Sequence, residues 1–578
     1  MDNSANNYRL AIDLSQTQNI PTDPKQRLPF FQAFKQLLKD ERKKIKDWHR
    51  SGTGGREIIQ AHTNLIDEII RHVLRSMTQL EVYAGGDVLE DFSLIAVGGY
   101  GRGELNPLSD IDLLFLLSEK TQPLTKTFIQ DVLSVIWGFG MEIGHSSRTI
   151  KDCVKFAQED LTIKTSMIET RFLIGNRITY DKFCNSIQKK VLQKYVKQFL
   201  NSKLKEKYAG YGQSGGVVCH PEPDIKNGPG GLRDYHSALW ATAVRYGCNS
   251  LREINEEHVL SREEIESLYH SVDFSLRVRN ELHYLTEKKT DILTFGTQKQ
   301  LAANLGYQSS SHSQPVEEFM RDYYLHATNI YTFSQNLFEH CRQSKRSLKK
   351  VISSLTKKAM GNGFHISDSS LVYEGDAKED FKKDKLLLLT ALELCKQHQV
   401  LPDFKLHRQM RLSKNLVNAQ FVNTEEVRNF LFSVLKNKTA EKILRLMHET
   451  NILGQILPEF GLSHCKVNHD FYHHYTADEH SLRVIRFLDE LVVTSITNPT
   501  DLSALYQYYP NKGILKLSAL LQSLRKMPAD DPEEFLGPLT KRLNLKKPDS
   551  QILFFLLNNS YTMIETALHQ DIHQPARS

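Results

Sequence analysis

Long apolar runs are missing from this 578-residue chain. The longest, such as LIAVGGY and IDLLFLL, stop far short of the roughly 20 residues that a membrane-spanning helix requires, so no membrane span is expected. The N-terminus, MDNSANNYRLAIDLSQ, has neither a basic start followed by an apolar stretch nor a small-residue cleavage site. Nothing in it points to export, and a cytoplasmic location is expected. Cysteine is scarce and scattered: Cys153, Cys184, Cys219, Cys248, Cys341, Cys395 and Cys465 include no CxxC pair. Reduced, mostly buried thiols explain that pattern better than a disulfide frame or a zinc site. A strong charge imbalance is missing too, since 74 Lys and Arg face 68 Asp and Glu for a net charge of +6. Basic runs such as KDERKKIKDWHR (39–50) and RQSKRSLKK (342–350) read as solvated helix faces, and no nucleic-acid partner is required. A Walker-type phosphate loop is also absent, which removes the P-loop enzymes.

What is present is a soluble globular composition, with 40% apolar and 25% charged residues. The length calls for two to four domains. Helical periodicity dominates residues 25–82, as in LPFFQAFKQLLKDERKKIKDW and NLIDEIIRHVLRSM. From about 92 to 175 the pattern is mixed: strands FSLIAVGG, SDIDLLFLL and GMEIGHSSRTI flank the helix TKTFIQDVLSVIWGF. Beyond that the chain is helical again, interrupted by a glycine-rich loop (209–232), a polar region (342–384) and a small β excursion, GFHISDSSLVYEGD (363–376).

The stretch LIAVGGYGRGELNPLSDIDLLFLL (94–117) carries the chemistry. A strand repeats every two residues, so Asp110 and Asp112 leave the same face, and their charges repel unless something cationic sits with them. Gly98 and Gly99 follow a strand and let backbone amides approach a bulky anion closely, and the residues after them can open a short helix whose amide end favours phosphate. Two carboxylates of this kind suit hard cations. Magnesium ions bridging them to a nucleoside triphosphate would activate an attacking hydroxyl and neutralise the departing pyrophosphate, which is nucleotidyl transfer. The bland alternative is a hairpin with Asp110 capping a turn and Asp112 facing water. A GG closing an apolar strand eleven residues before the pair favours the transferase, and the joint pattern resembles the polymerase-β-like nucleotidyltransferases.

Further motifs sharpen the resemblance. IGHSSRTI, EPDIKNGPGGLRDYHSALWATAVRYG (222–247), SLRVRNELHYLTEKKTDILTF, RDYYLHATNIY and FYHHYTADEHSLRVI, in this order after GGYGRGELNPLSDIDLL, resemble the bacterial PII uridylyltransferase/uridylyl-removing family from about residue 90 to about 500. The resemblance implies a mainly α chain with one α/β domain. A polymerase-β-like core, a small mixed sheet with flanking helices, would be embedded in helical domains and followed by an all-α HD-like domain. The expected boundaries are 1–90 for a helical N-terminal segment, 91–175 for the nucleotidyltransferase core, 176–345 for its helical associate and 346–578 for a degenerate HD-like domain. It further implies UMP transfer from UTP to a tyrosine of a PII-type signal protein, with Mg2+ or Mn2+. Gly98, Gly99, Asp110 and Asp112 match the family's transferase motif, with Arg102 beside them. Lys226, Arg233, Arg277 and Arg279 match positions near its nucleotide cleft, where surface charge or helix ion pairs is the competing reading. His145 is expected to be a core histidine rather than a cleft group.

The departures carry as much information. Where the family has Trp-Asp, this chain has Trp137 followed by Gly138. If that aspartate is the third metal-site carboxylate, Glu142 replaces it only where the strand turns it toward Asp110 and Asp112. In the HD region His480 matches the first metal ligand, but Gln522 and Ser523 stand in place of the His-Asp pair. Ser560 replaces a later histidine, and only Asp571 remains. An amide and a hydroxyl replace imidazole and carboxylate, so uridylyl removal is expected to be dead. His469, His473 and His474 form a histidine-rich patch that reads as a solvated helix start. With Ser578 as the last residue given, the family's two glutamine-sensing ACT domains are not expected in this chain. Two other classes stay open: a transferase with another acceptor, such as a small molecule or RNA end, and a silent relative that only binds a partner.

Overall fold

The computed structural model describes residues 20–21, 26–84, 87–211, 218–247, 253–254, 260–309, 314–342, 358–367, 369–466, 475–497, 501–522, 532–560 and 562. His469, His473, His474, Ser523 and Asp571 lie outside the described residues. The chain divides into two compact units, one of Met1–Val218 with Glu222–Gln343 and one of Cys219–Pro221 with Ser344–Ser578. The architecture is mainly α with one α/β domain. No helix among the described residues is long and apolar enough to cross a membrane.

The first unit opens with two amphipathic helices, α1 (Arg27–Arg50) and α2 (Gly55–Thr78). In α1 the apolar side chains Phe30, Phe34, Leu38 and Ile45 recur at helical spacing and are buried. They meet the sheet built by β1 (Phe92–Val97), β2 (Ile111–Leu117), β3 (Ile143–Thr149) and β4 (Thr170–Gly175), whose order is β3-β2-β1-β4. β1 pairs antiparallel with β2 and β4, and β2 pairs parallel with β3. The parallel step is closed by α4 (Pro123–Gly138), as a crossover requires. Between β1 and β2 lies the single turn α3 (Gly98–Gly101). β4, TRFLIG, is a strand that the sequence pattern leaves unmarked. Its six residues follow directly on a helix, and it is pairing with β1 that makes them a strand.

The central strands β1 and β2 are buried on both faces, so they read as nearly continuous apolar runs. Leu94, Ala96, Leu113 and Phe115 pack with α1, α2 and α4. Ile95, Leu114 and Leu116 pack on the opposite face with Phe183, Trp240 and Phe338. That second face is covered by α5 (Ile150–Glu159), α6 (Leu161–Ile168), α7 (Arg177–Ile187), α8 (Val196–Gly210), α9 (Leu232–Tyr246) and, further along, α12 (Pro315–Arg342). Each such Leu, Ile or Phe contributes about 1.5–3 kcal/mol of burial free energy. α10 (Arg262–Thr286) packs on α2, and α11 (Phe295–Asn304) follows it after the turn that carries Lys289 and Asp291.

The second unit starts with a small sheet, β5 (Lys358–Gly361), β6 (Phe364–Ser367), β7 (Ser370–Tyr373) and β8 (Leu401–Pro402), at the place of the expected β excursion. Helices follow, among them α13 (Leu386–His398), α14 (Glu425–Leu435), α15 (Ala440–Glu449), α16 (Ala477–Thr497), α17 (Lys512–Leu521) and α18 (Lys547–Asn558). One apolar core runs through them, from Leu388 and Leu431 to Leu482, Leu517 and Leu553.

Candidate active site

Period two decides where the acidic pair lies. Asp110 and Asp112 share the strand face of Leu114 and Leu116, so a row that is apolar inside the sheet turns acidic where β2 emerges from it. The parallel register sets Ile111 beside Ile143 and Asp112 beside Gly144. Continued by one residue, it sets Asp110 beside Glu142, so Glu142 comes onto the acidic face. The Lys289 ammonium then lies between these two carboxylates, 2.6 Å from Asp110 Oδ1 and 2.9 Å from Glu142 Oε2. Lys289 thereby offsets the like charges of Asp110 and Glu142 on neighbouring strands, and its charge also acts on Asp112. Lys289 stands where a metal cation held by these carboxylates would sit, and oxygen donors of this kind suit a hard cation. Asp110, Asp112 and Glu142 do not converge to within 4.8 Å as a trio, however, so a shared ion would draw them together.

Asp112 is the inner member of the pair. Burial raises its carboxyl above the ordinary aspartate range, and the Asp110 charge adds to that, against Lys226 and Lys289. Two glycines make space for it. Gly98 sits at φ 62°, a left-handed conformation that lets the chain turn from β1 into α3, and a Cβ there would stand 3.6 Å from Asp112 Oδ2. At Gly144 a Cβ would overlap Asp112 Oδ1 outright. Nothing in IGHSSRT marks that second glycine without the register.

Opposite the acids, the loop 222–232 is pinned to the turn after α10. Asp224 bridges to Ile292, Ile225 N–H donates to Asp291 O at 2.8 Å, and Leu293 N–H to Pro223 O at 2.9 Å. The loop brings in Lys226, whose ammonium makes no hydrogen bond to a described residue. Burial pushes its pKa down, Arg279 and Arg233 push the same way, and Asp291 and Asp110 oppose them. The Arg233 backbone N–H donates to Lys226 O at 2.7 Å, and its guanidinium lies 5.7 Å from the centre of the Trp240 ring. Burial also lowers the Arg233 pKa, with Arg102 and Arg279 adding to it. Arg279 is held by Asp291 at 2.7 Å and by Asn106 Oδ1. Burial would raise Asp291, yet hydrogen bonds from His283 and Arg279 outweigh it and hold that carboxylate well below the usual range. Arg102 is paired with Glu104 at 2.7 Å and Glu169 at 2.6 Å, and Glu104 also meets His236 at 2.8 Å.

Two expectations need correction, at Arg277 and His145, and the surroundings of Gly138 bear on the question of a third carboxylate. Arg277 does not join Arg279: two residues along a helix turn about 200°, and its charge is felt by Tyr307 instead. Gly138 does not face the acids, since a Cβ there would lie 2.6–2.8 Å from the Phe31 ring of α1. A carboxylate at that position would meet an aromatic wall. His145 is not a core residue, because β3 is an edge strand. The imidazole is exposed and stands edge-on to Trp137, with centroids 5.7 Å apart. In the second unit, Gln522 Nε2 donates to Ser481 Oγ at 3.4 Å, and His480 lies partly buried on α16. Sequence reasoning passed over Lys289, Asp291, Asn106 and Gly144.

Residues 86–173 match the family model described as nucleotidyltransferase domain, and residues 198–338 match that of the GlnD PII-uridylyltransferase. The first range encloses Gly98, Asp110, Asp112 and Glu142, and the second Lys226, Arg233, Arg279, Lys289 and Asp291. Over 537 residues the chain is 30% identical to the bifunctional uridylyltransferase/uridylyl-removing enzyme of Rhodospirillum rubrum, covering 90% of this chain and 56% of that protein. The enzyme of the same description in Bradyrhizobium sp. (strain BTAi1) is 29% identical over 570 residues, 94% of this chain and 60% of that one. The one in Caulobacter vibrioides (strain NA1000 / CB15N) is 28% identical over 590 residues, 98% and 62% respectively. The chain thus spans less than two thirds of the length of these curated relatives.

Proposed function

Since this chain carries a nucleotidyltransferase domain and a PII-uridylyltransferase segment and is homologous over most of its length to bifunctional uridylyltransferase/uridylyl-removing enzymes, we propose that it transfers UMP from UTP to a tyrosine of a PII-type signal protein. The observation that carries this reading is the acidic end of β2 and β3, where Asp110 and Glu142 already grip one cation beside the Gly98 turn. Asp110, Asp112 and Glu142 would hold Mg2+, or Mn2+ in its place. When bound, the metal supplies a lowered pKa at the attacking hydroxyl and countercharge for the departing pyrophosphate. The tyrosine oxygen bonds to the α-phosphorus as the bond to the pyrophosphate oxygen breaks.

The chain's own residues do the rest. The amides around Gly98 and Gly99 approach the phosphates, and Lys226 and Arg233 present positive charge that no described carboxylate hydrogen-bonds. Arg279 and Arg102, tied to Asp291, Glu104 and Glu169, set the shape and potential of the wall rather than reach across it. Uridylyl removal is not part of this proposal, because Gln522 and Ser560 cannot supply the imidazole and carboxylate that an HD metal needs.

The test is incubation of purified protein with α-labelled UTP, Mg2+ and a PII protein. Label should appear on the PII tyrosine, and Asp110→Asn and Asp112→Asn should abolish it. Label on another acceptor, or none with an intact fold, overturns the assignment.

A further inference from the structure

The second unit holds a ligand cluster that neither the transferase site nor the HD remnant uses. His448 comes from the last turn of α15, His464 from the turn after the short helix Pro458–Gly461, and Asp478 from the first turn of α16. Their donor atoms all lie within 4.8 Å of one another, the one His, Cys, Asp or Glu cluster of that kind among the described residues. His448 Nε2 is 3.3 Å and His464 Nδ1 2.9 Å from the same oxygen, Asp478 Oδ2.

We propose that His448, His464 and Asp478 form a Zn2+ site. The distances fit. Zinc bonds of about 2.0–2.2 Å in a tetrahedron put neighbouring donors roughly 3.3–3.5 Å apart, and the two separations to Asp478 Oδ2 are already near that edge length. The donor chemistry fits as well, since two neutral imidazoles and one carboxylate are a set that zinc takes with an open fourth position.

The proton inventory points the same way. Besides the two imidazoles, Asp478 Oδ2 receives the Cys465 N–H at 3.0 Å, so three donors crowd one carboxylate oxygen. An ion between the rings replaces two of those N–H groups with lone pairs directed at a single centre. The carboxylate itself is built in: Asp478 is 1% exposed, and its other oxygen accepts the Glu479 N–H at 2.9 Å. The two amides orient it as outer-shell partners orient metal ligands. The imidazoles, by contrast, are only partly buried, which leaves a path for the ion and a free side for water or a partner's side chain. Their rings stand nearly perpendicular at 83°, and His448 is steadied edge-on by Phe460. His480, two residues beyond Asp478 on α16, lies about 200° round the helix, so this site is distinct from the HD position.

The proposal is independent of the transferase reading. Untagged full-length protein, stripped by chelation and titrated with Zn2+, should bind one equivalent, and Co2+ in its place should give a visible absorption band typical of low coordination. His464→Gln, at the more exposed ligand, should weaken binding by at least about a hundredfold, beyond the 10- to 100-fold typical of outer-shell changes. His480→Ala should leave it unchanged. Zn2+ should also raise the melting temperature of the wild type and not that of His464→Gln. Binding that survives His464→Gln, binding lost equally in His480→Ala, or no bound equivalent in a folded wild type overturns the proposal.

Discussion

Gly144→Ala separates the site from the scaffold that carries it. The new Cβ would stand closer than 3.0 Å to Asp112 Oδ1, whereas ordinary contact begins at 3.4 Å, so the oxygen must retreat by about 1 Å. Asp112 is a short side chain beside a cleft, and turning it aside costs the fold little. A misplacement of about 1 Å at a reacting centre costs on the order of 100-fold in rate. We therefore expect transfer to fall about 100-fold while the urea midpoint stays within the error of the wild type. Gly138→Ala is the reciprocal control. Its Cβ meets the partly buried Phe31 ring, which lies against the rings of Phe30 and Phe139. Overpacking there should cost about 1–3 kcal/mol of stability and leave turnover per folded molecule unchanged. The readouts are labelled UMP on PII and equilibrium unfolding of the same preparations. A Gly144→Ala protein with wild-type turnover would show that Asp112 is not needed where the structure holds it.

Asp112→Asn should abolish transfer and stabilise the metal-free protein. An acid whose folded pKa is raised binds its proton more tightly in the native state, so stability is lost as pH rises from 3.8 through the folded pKa, and the penalty persists at neutral pH until the charge is deleted. Chemical unfolding at pH 7 against pH 4 checks this: the gain over wild type should be present at pH 7 and shrink at pH 4. Lys289→Gln removes the ammonium that a metal must displace, and exposed ion pairs are worth ~0.2–1 kcal/mol. The half-saturating Mg2+ concentration should therefore fall about two- to fivefold, and an unchanged or higher requirement refutes the competition. Uridylylated PII incubated with the protein and Mn2+ should release no UMP over hours, and His480→Ala should change nothing. Rapid release lost in His480→Ala would show that other residues have rebuilt the hydrolase.

Local pattern carried the reading as far as local pattern decides geometry. β1 and β2 are legible because apolar runs bounded by Gly, Pro and Ser have few other uses, and the Asp110–Asp112 pair is legible because charge inside such a run demands a reason. Lys289 is not: it is one of two adjacent lysines in LTEKKTD, and which of them turns to Asp110 is set by a chain reversal after α10. Arg277 and Arg279 look alike in sequence and part only because a helix advances 100° per residue. His145 reads as a core position in sequence and is exposed because β3 is an edge strand, which only the sheet order reveals. The His448, His464 and Asp478 cluster escaped because its members come from three elements, the later two fourteen residues apart.

The ion pair between Asp110 and Lys289 also orders events in time. The partners are 179 residues apart in the chain, and at about 5–20 residues per second of synthesis roughly 10–35 seconds pass between their appearances. Once Gly175 has been made the sheet strands β1 to β4 are complete, but the acid pair lacks a facing lysine until Lys226 is made and lacks its ion-pair partner until Lys289 follows. A nascent chain that ends before α10 thus has the cation-binding half of the cleft without the half that restrains it. The turn at residues 288–292 is the last piece to arrive, and it both closes the cleft wall through Asp291 and neutralises the acidic face through Lys289.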